Sequence, residues 1–230
     1  MTDRPILMNA EMVRATLSGA KAQTRRIVKD LPDTITRFAG PWMKQDGTCA
    51  NGADWSFGSG EIKGDPQNFF VDKKMPCPFG VPGDRLWVRE TFFIDLFPYC
   101  DEGPLPKEKP QALIDDPYPL YFRADGECCE QIPECCCAEV GKPRWRPSIH
   151  MPRWASRITL EVTGVRVERL QDISEEDAKL EGADGAKYLG QGFDQCVYRE
   201  AFRALWESIN GTDSGDVNPW VWVIDFKRVT

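Results

Sequence analysis

His150 is the sole histidine in a chain of 230 residues. A histidine-based triad or a multi-histidine metal site can therefore be assembled only around that position. In its setting, RPSIHMPRW, His150 reads as a surface or stacking residue. No run of about 18 apolar residues occurs, which excludes a helical membrane span. The start, MTDRPILMNAEMV, lacks the basic and then apolar layout of a secretory signal, so a cytoplasmic setting is expected. Also missing are the G-x-x-x-x-G-K-[ST] phosphate loop, the G-x-G-x-x-G fingerprint, H-E-x-x-H and G-x-S-x-G. Positive charge is not in excess: 29 Lys and Arg stand against 36 Asp and Glu, a net charge of -7. That balance opposes indiscriminate binding to nucleic acid but leaves room for a local cationic site. The nine cysteines are an odd number in a chain without an export signal. They point to free thiols or metal ligands rather than a disulfide framework.

What is present is organised around one core. The length and the 41% hydrophobic content suit a single elaborated domain over 1–230. Asn9 is an N-cap for an amphipathic helix over 10–18, where Met12, Val13, Thr16 and Leu17 recur at helical spacing and Gly19 offers a stop. Residues 38–80 are rich in Gly, Asp, Asn and Pro and read as a long irregular connection that can hold one hairpin. In VPGDRLWVRETFF a turn precedes a strand, with Leu86, Val88, Glu90 and Phe92 on one face and Arg85, Trp87, Arg89 and Thr91 on the other. Glu90 thus falls on the apolar face.

About 95–147 the chain is dense in Pro and Cys and reads as an insertion, from which PLYFRAD returns to the core as a short strand. RITLEVTGVRVERL predicts two strands or one bent strand, with a bulge at Gly164. ISEEDAKLEG predicts a short helix capped by Ser174. CVYREAFRALWESIN predicts a one-faced helix, and NPWVWVIDFKRV a closing strand. Strands interrupted by a few helices, without βαβ alternation, predict an α+β fold.

Two stretches concentrate cations without any acid. The first, GAKAQTRRIVK, carries Lys21, Arg25, Arg26 and Lys29. The second, KPRWRPSIHMPRWASR, carries Lys142, Arg144, Arg146, Arg153 and Arg157 with Trp145 and Trp154. Positive charge can hold phosphate while an indole or guanidinium plane stacks on a base, which suits unpaired RNA or a nucleotide. The alternative is that the tryptophans pack in the core and the arginines cap strand ends.

The first stretch resembles the G-x-K-x-x-T-x-R signature of ASCH domains, relatives of the PUA fold. GDRLWVRE, DISEEDAKLEG and FRALWESIN…NPWVWVIDFK resemble later blocks of that family in the same order. RPILMNAEMVRATLSGAKAQTRR, PGDRLWVRETF and PRWRPSIHMPRWASRITLEVTGVRVERLQDI are similar to its phage and prophage branch. The matching blocks cover roughly 4–29, 76–94 and 121–230. The resemblance implies a small PUA-like β-barrel with flanking helices, here carrying a Cys- and Pro-rich insertion, and an association with RNA or modified nucleosides.

Some small bacterial members are amidohydrolases acting on N4-acetylcytidine. The resemblance places their Lys, Thr and Glu on Lys21, Thr24 and Glu90. Thr24 would be the nucleophile, Lys21 its base and Glu90 the acid, with no cofactor required. A hydroxyl needs such a base, and a lysine serves only when neutral, which burial or cationic neighbours such as Arg25 and Arg26 favour. A carboxyl on an apolar face must be paired or protonated, and the protonated form can act as general acid. Each residue also has a bland reading: a buried ion pair of Glu90 with Lys21 or an arginine, a turn cap for Thr24, and a solvated cation for Lys21.

Cys128, Cys129, Cys135, Cys136 and Cys137 lie within ten residues of one another. Cys128, Cys129, Cys135 and Cys137 are candidate ligands of a structural zinc, with scattered free thiols as the alternative. Three functions follow from the sequence: an amidohydrolase on an N4-acylated cytidine-type nucleoside, with Arg25, Arg26, Arg144, Trp145, Arg146, Arg153 and Trp154 binding the nucleotide; a noncatalytic reader of RNA or modified nucleic acid; or a phage accessory protein binding a host protein. None involves a membrane.

Overall fold

The computed structural model describes residues 1–31, 35, 37–39, 50–59, 70–94, 105–111, 114, 120–126, 145–188 and 197–229. In chain order they form β1 (Asp3–Leu7), α1 (Ala10–Leu17), β2 (Gln23–Ile27), β3 (Arg37–Ala39), β4 (Ala50–Ser59) and β5 (Phe70–Pro76). Then follow β6 (Arg85–Arg89), β7 (Phe92–Ile94), β8 (Leu120–Phe122), β9 (Thr159–Arg169), α2 (Glu175–Leu180), α3 (Val197–Asn210) and β10 (Trp220–Arg228). The fold is mixed α+β with a mostly sheet core. Among the described residues the sheets are open and none closes into a barrel. No helix among them is long and apolar enough to cross a membrane.

The chain divides into two compact units. The first comprises Met1–Thr2, Ala22–Asp84 and Val162–Lys227; the second comprises Asp3–Lys21, Arg85–Glu161 and Arg228–Thr230.

In the first unit β10 lies between β9 and β2, and pairs antiparallel with β2. Its run WVWVI is apolar at every position because both faces are covered. Val221 and Val223 join Leu170, Ile173, Ala178, Phe202 and Trp206 in a core cluster, which draws on α2 and α3. Trp222 meets Trp55 and Phe57 edge-on, at 5.5 and 5.9 Å between ring centroids. Those two rings belong to β4, the middle strand of the antiparallel sheet β3-β4-β5. Within 38–80, expected to be a long irregular connection that can hold one hairpin, the described residues form the paired strands β3 to β5. The Gly and Asp content hid an alternation carried by only two residues, Trp55 and Phe57, both buried while Asp54 is exposed.

In the second unit β1 pairs in parallel with β6, and β6 pairs antiparallel with the first residues of β9. Asn9 accepts a hydrogen bond from the Met12 amide and starts α1, whose Met12, Val13 and Thr16 are buried. Gly19 ends the helix at φ 79°, a left-handed conformation that glycine adopts without strain. β7 and β8 form a two-stranded sheet over a core of Phe92, Ile94, Phe122, Met151 and Ala155. The short strand expected at PLYFRAD is therefore β8.

Candidate functional site: a carboxylate and guanidinium cluster in the second unit

The segment that follows β6 is held from two sides by its backbone. Phe92 exchanges both main-chain hydrogen bonds with Arg146, at 3.2 and 2.8 Å, and stands opposite Phe122 in the β7–β8 register. Arg123 donates its amide to the Thr91 carbonyl, and the Ser156 hydroxyl donates to that of Val88. These bonds bring Arg123, Arg146 and Arg157, far apart in the chain, to the three residues Glu90, Thr91 and Phe92.

Glu90 is 2% exposed and Arg157 is bound to it by a two-pronged fork, Nε to Oε1 at 2.9 Å and Nη2 to Oε2 at 3.0 Å. The outer edge of the same guanidinium makes a second fork with Asp125, at 2.8 Å for both bonds. Its plane lies over the Phe122 ring, 4.0 Å from the centroid. A planar guanidinium with a fixed fork suits two carboxylates and a ring at once, which an ammonium could not do. Burial raises the Glu90 pKa above the ordinary carboxylate range, and the Asp125 charge adds to this. The hydrogen bonds and charge of Arg157 oppose that rise without cancelling it.

Other cations of this unit also lie against aromatic rings. Arg123 is 5.9 Å from the Trp145 ring centroid, and Arg89 and Arg153 are 4.6 and 5.9 Å from that of Trp87. Trp145 and Trp154 are half-buried. Trp154 donates its indole N–H to the Pro106 carbonyl and packs on the Phe92 core, so it is tied as a packing residue. Arg153 is exposed, with a long ion pair to Asp3 at 3.6 Å and a hydrogen bond to Thr159. His150 is exposed.

The GAKAQTRRIVK stretch becomes an edge strand, β2, an element its charge concealed. Gln23 and Arg25 stand opposite Asp225 and Val223, on the face covered by α2 and α3, whereas Thr24 and Arg26 stand opposite Ile224 and Trp222. Arg25 has no exposed side-chain surface and pairs with Glu168, Asp177 and Glu181 at 3.0, 3.1 and 3.3 Å. Arg166 extends the network to Glu168, Asp177 and Asp225. Arg25, expected among the nucleotide-binding residues, is thus paired with three carboxylates and has no side-chain surface exposed to solvent. Arg26 is partly exposed. Desolvation lowers its pKa, with the charge of Glu181 opposing.

Lys21 and Thr24, expected as base and nucleophile, are both buried, at 2% and 0% exposure. Lys21 closes the α1 turn by donating its amide to the Ala15 carbonyl. The Thr24 hydroxyl is buried with no hydrogen-bond partner among the described residues. Thr24 belongs to the first unit, and Lys21 and Glu90 to the second. Arg144 and Cys128, Cys129, Cys135 and Cys137 lie outside the described residues. Among the described residues no group of three or more metal-ligating side chains gathers.

Sequence reasoning did not single out Asp125, Phe122 or Arg123. The available signal was their place at the end of PLYFRAD, the one segment of the insertion with strand character. Compared with protein-family models, curated proteins and solved structures, the chain finds no match.

Proposed function

We propose that the second unit binds the base and phosphate of a modified cytidine-type nucleotide, free or within unpaired RNA. The observation that carries this reading is the double fork of Arg157 to buried Glu90 and exposed Asp125, with Arg123 and Arg146 tied by their backbones to the neighbouring Thr91 and Phe92, and Trp145 beside Arg123. Half-exposed Trp145 offers a stacking surface, and Arg123 and Arg146 offer charge for phosphate. Asp125 is 53% exposed and can accept from an exocyclic amine of the kind cytosine carries. Its position is fixed by Arg157, so the acceptor is pre-oriented. The resemblance to ASCH domains supports the same ligand class, and with it we propose PUA-like ancestry for this sheet core.

The test is a titration with cytidine 5′-monophosphate and a short unpaired oligoribonucleotide at rising salt. Binding by both, weakened by Trp145→Ala and Arg146→Ala, is expected, with the Arg146 effect shrinking as salt rises. Equal affinity for wild type and both variants at low salt would overturn the reading.

A second reading, hydrolysis of the N4-acyl group, is favoured by one observation: Glu90 is buried and burial raises its pKa, the direction a general acid needs. Incubation with N4-acetylcytidine, products followed by mass, distinguishes the two. Release of acetate by wild type and none by Lys21→Arg supports hydrolysis; binding without release supports the noncatalytic reader.

A further inference from the structure

A separate cavity of about 260 Å³ opens in the first unit, beside α3. Leu170, Ile173, Phe202 and Trp206 supply its apolar lining. Arg199, Phe202, Arg203 and Trp206 recur at i, i+3, i+4 and i+7, so a single stripe of α3 runs along it. The two rings of that stripe are buried and the two arginines are exposed, which sets an apolar interior under a charged rim.

The rim charges are engaged unequally. Arg203 is held by Glu207 and Asp216, at 3.0 and 2.9 Å. Among the described residues the Arg199 guanidinium donates only to the Gln171 carbonyl, at 3.3 Å, and pairs with no carboxylate. Glu200 is next to it in the helix and also lines the cavity. Its carboxylate makes no hydrogen bond or ion pair among the described residues and acts on Arg203 only through space. One positive and one negative charge thus stand side by side at the rim, without close counter-charges. A ligand with one charge would answer only one of them.

Size sets the other limit. An apolar cavity of about 150 Å³ accepts benzene, and drug-sized pockets begin near 300 Å³. One ring or branched chain with a short polar head fits between these values. We infer that this cavity binds a free α-amino acid with an apolar side chain, its carboxylate on Arg199 and its ammonium on Glu200. The side chain packs against Phe202 and Trp206, whose rings lie 6.0 Å apart and are tilted by 43°. A peptide end carries only one of the two charges, so the free amino acid is the better match. The site is independent of the nucleotide reading, since all of its residues belong to the first unit.

Three compounds that share a ring and differ in charge test it: phenylalanine, phenylpropanoate, which lacks the ammonium, and phenylethylamine, which lacks the carboxylate. Titrated into the full chain at low ionic strength, phenylalanine is expected to bind about fivefold more tightly than either, the upper end for one solvent-facing ion pair. Added salt should narrow that difference. Arg199→Gln should bring phenylalanine down to the affinity of phenylethylamine, and Glu200→Gln to that of phenylpropanoate. Both substitutions change rim side chains, so an unchanged urea midpoint is expected alongside. Equal affinity of the three compounds for wild type would overturn the assignment of the two charges, and binding by none of them would overturn the site.

Discussion

Arg157 reaches 67 positions back along the chain to hold both oxygens of Glu90, at 2.9 and 3.0 Å, while its own plane rests on Phe122. The pair makes Glu90 tolerable in the core and fixes where Asp125 presents its carboxylate. Removing the arginine leaves an uncompensated buried charge. Arg157→Ala should therefore destabilise the fold by about 3 kcal/mol in urea denaturation at neutral pH. A loss under about 0.5 kcal/mol would mean that Glu90 is compensated by something other than Arg157.

The Glu90 carboxyl also has a signed pH signature. Its pKa is raised above 4.5 in the folded state, mainly by burial, so the folded protein holds the proton more tightly than the unfolded chain. Stability should fall as pH rises from that value through the raised one. Asp177 acts oppositely. Although burial pushes its carboxyl up, hydrogen bonding from Gln23 and the charges of Arg166 and Arg25 bring its pKa below 3.8, so its contribution is lost in acid. Stability of wild type relative to Glu90→Gln should decline across the first window; a flat difference would contradict the assignment.

Arg25 offers a sharper case, since its side chain is wholly enclosed among three carboxylates. Arg25→Met should cost about 3–5 kcal/mol at neutral pH, part of it recovered as the carboxylates are protonated in acid. The same denaturation series checks this. An unchanged midpoint would refute the network as a structural element.

At Thr24 the structure predicts a gain. A buried hydroxyl without a partner costs stability, so Thr24→Val should be neutral or stabilising by up to about 2 kcal/mol in thermal or urea denaturation. A clear destabilisation would show that the hydroxyl is satisfied.

Two glycines in one turn separate backbone strain from crowding. Gly80 and Gly83 have φ of 96° and 91°, but a Cβ at Gly80 would lie 2.7 Å from Asp84 Oδ2, whereas one at Gly83 meets nothing within 4 Å. Both alanine variants should cost about 1–2 kcal/mol through the left-handed backbone. Gly80→Ala should cost more, because Asp84 would have to leave the Thr2 and Val81 amides it accepts from. Equal losses in a melting comparison would contradict that contact.

The elements that were legible in the sequence carry strong local signals: Asn9 and Ser174 as caps, the all-apolar β10, and the alternation that put Glu90 among Leu86 and Val88. The site was legible in part. Glu90 bonded to an arginine was one of the readings its position left open, but which arginine depended on a contact between residues 90 and 157 that no local pattern encodes. Arg25 misled because its carboxylates at 168, 177 and 181 are equally remote, so the stretch looked uniformly cationic. β3 to β5 were missed because pairing, not propensity, holds a Gly-rich strand in place.

The central claim is that the second unit carries the nucleotide-binding surface, and the chain's eight indoles report on it directly. Their N–H resonances, followed while a short unpaired cytidine-rich oligoribonucleotide is added, distinguish the units residue by residue. The account predicts that the Trp145 signal moves first and furthest, while those of Trp206, Trp220 and Trp222 in the first unit stay fixed. Movement confined to the first unit, or none at saturating oligoribonucleotide, would contradict it.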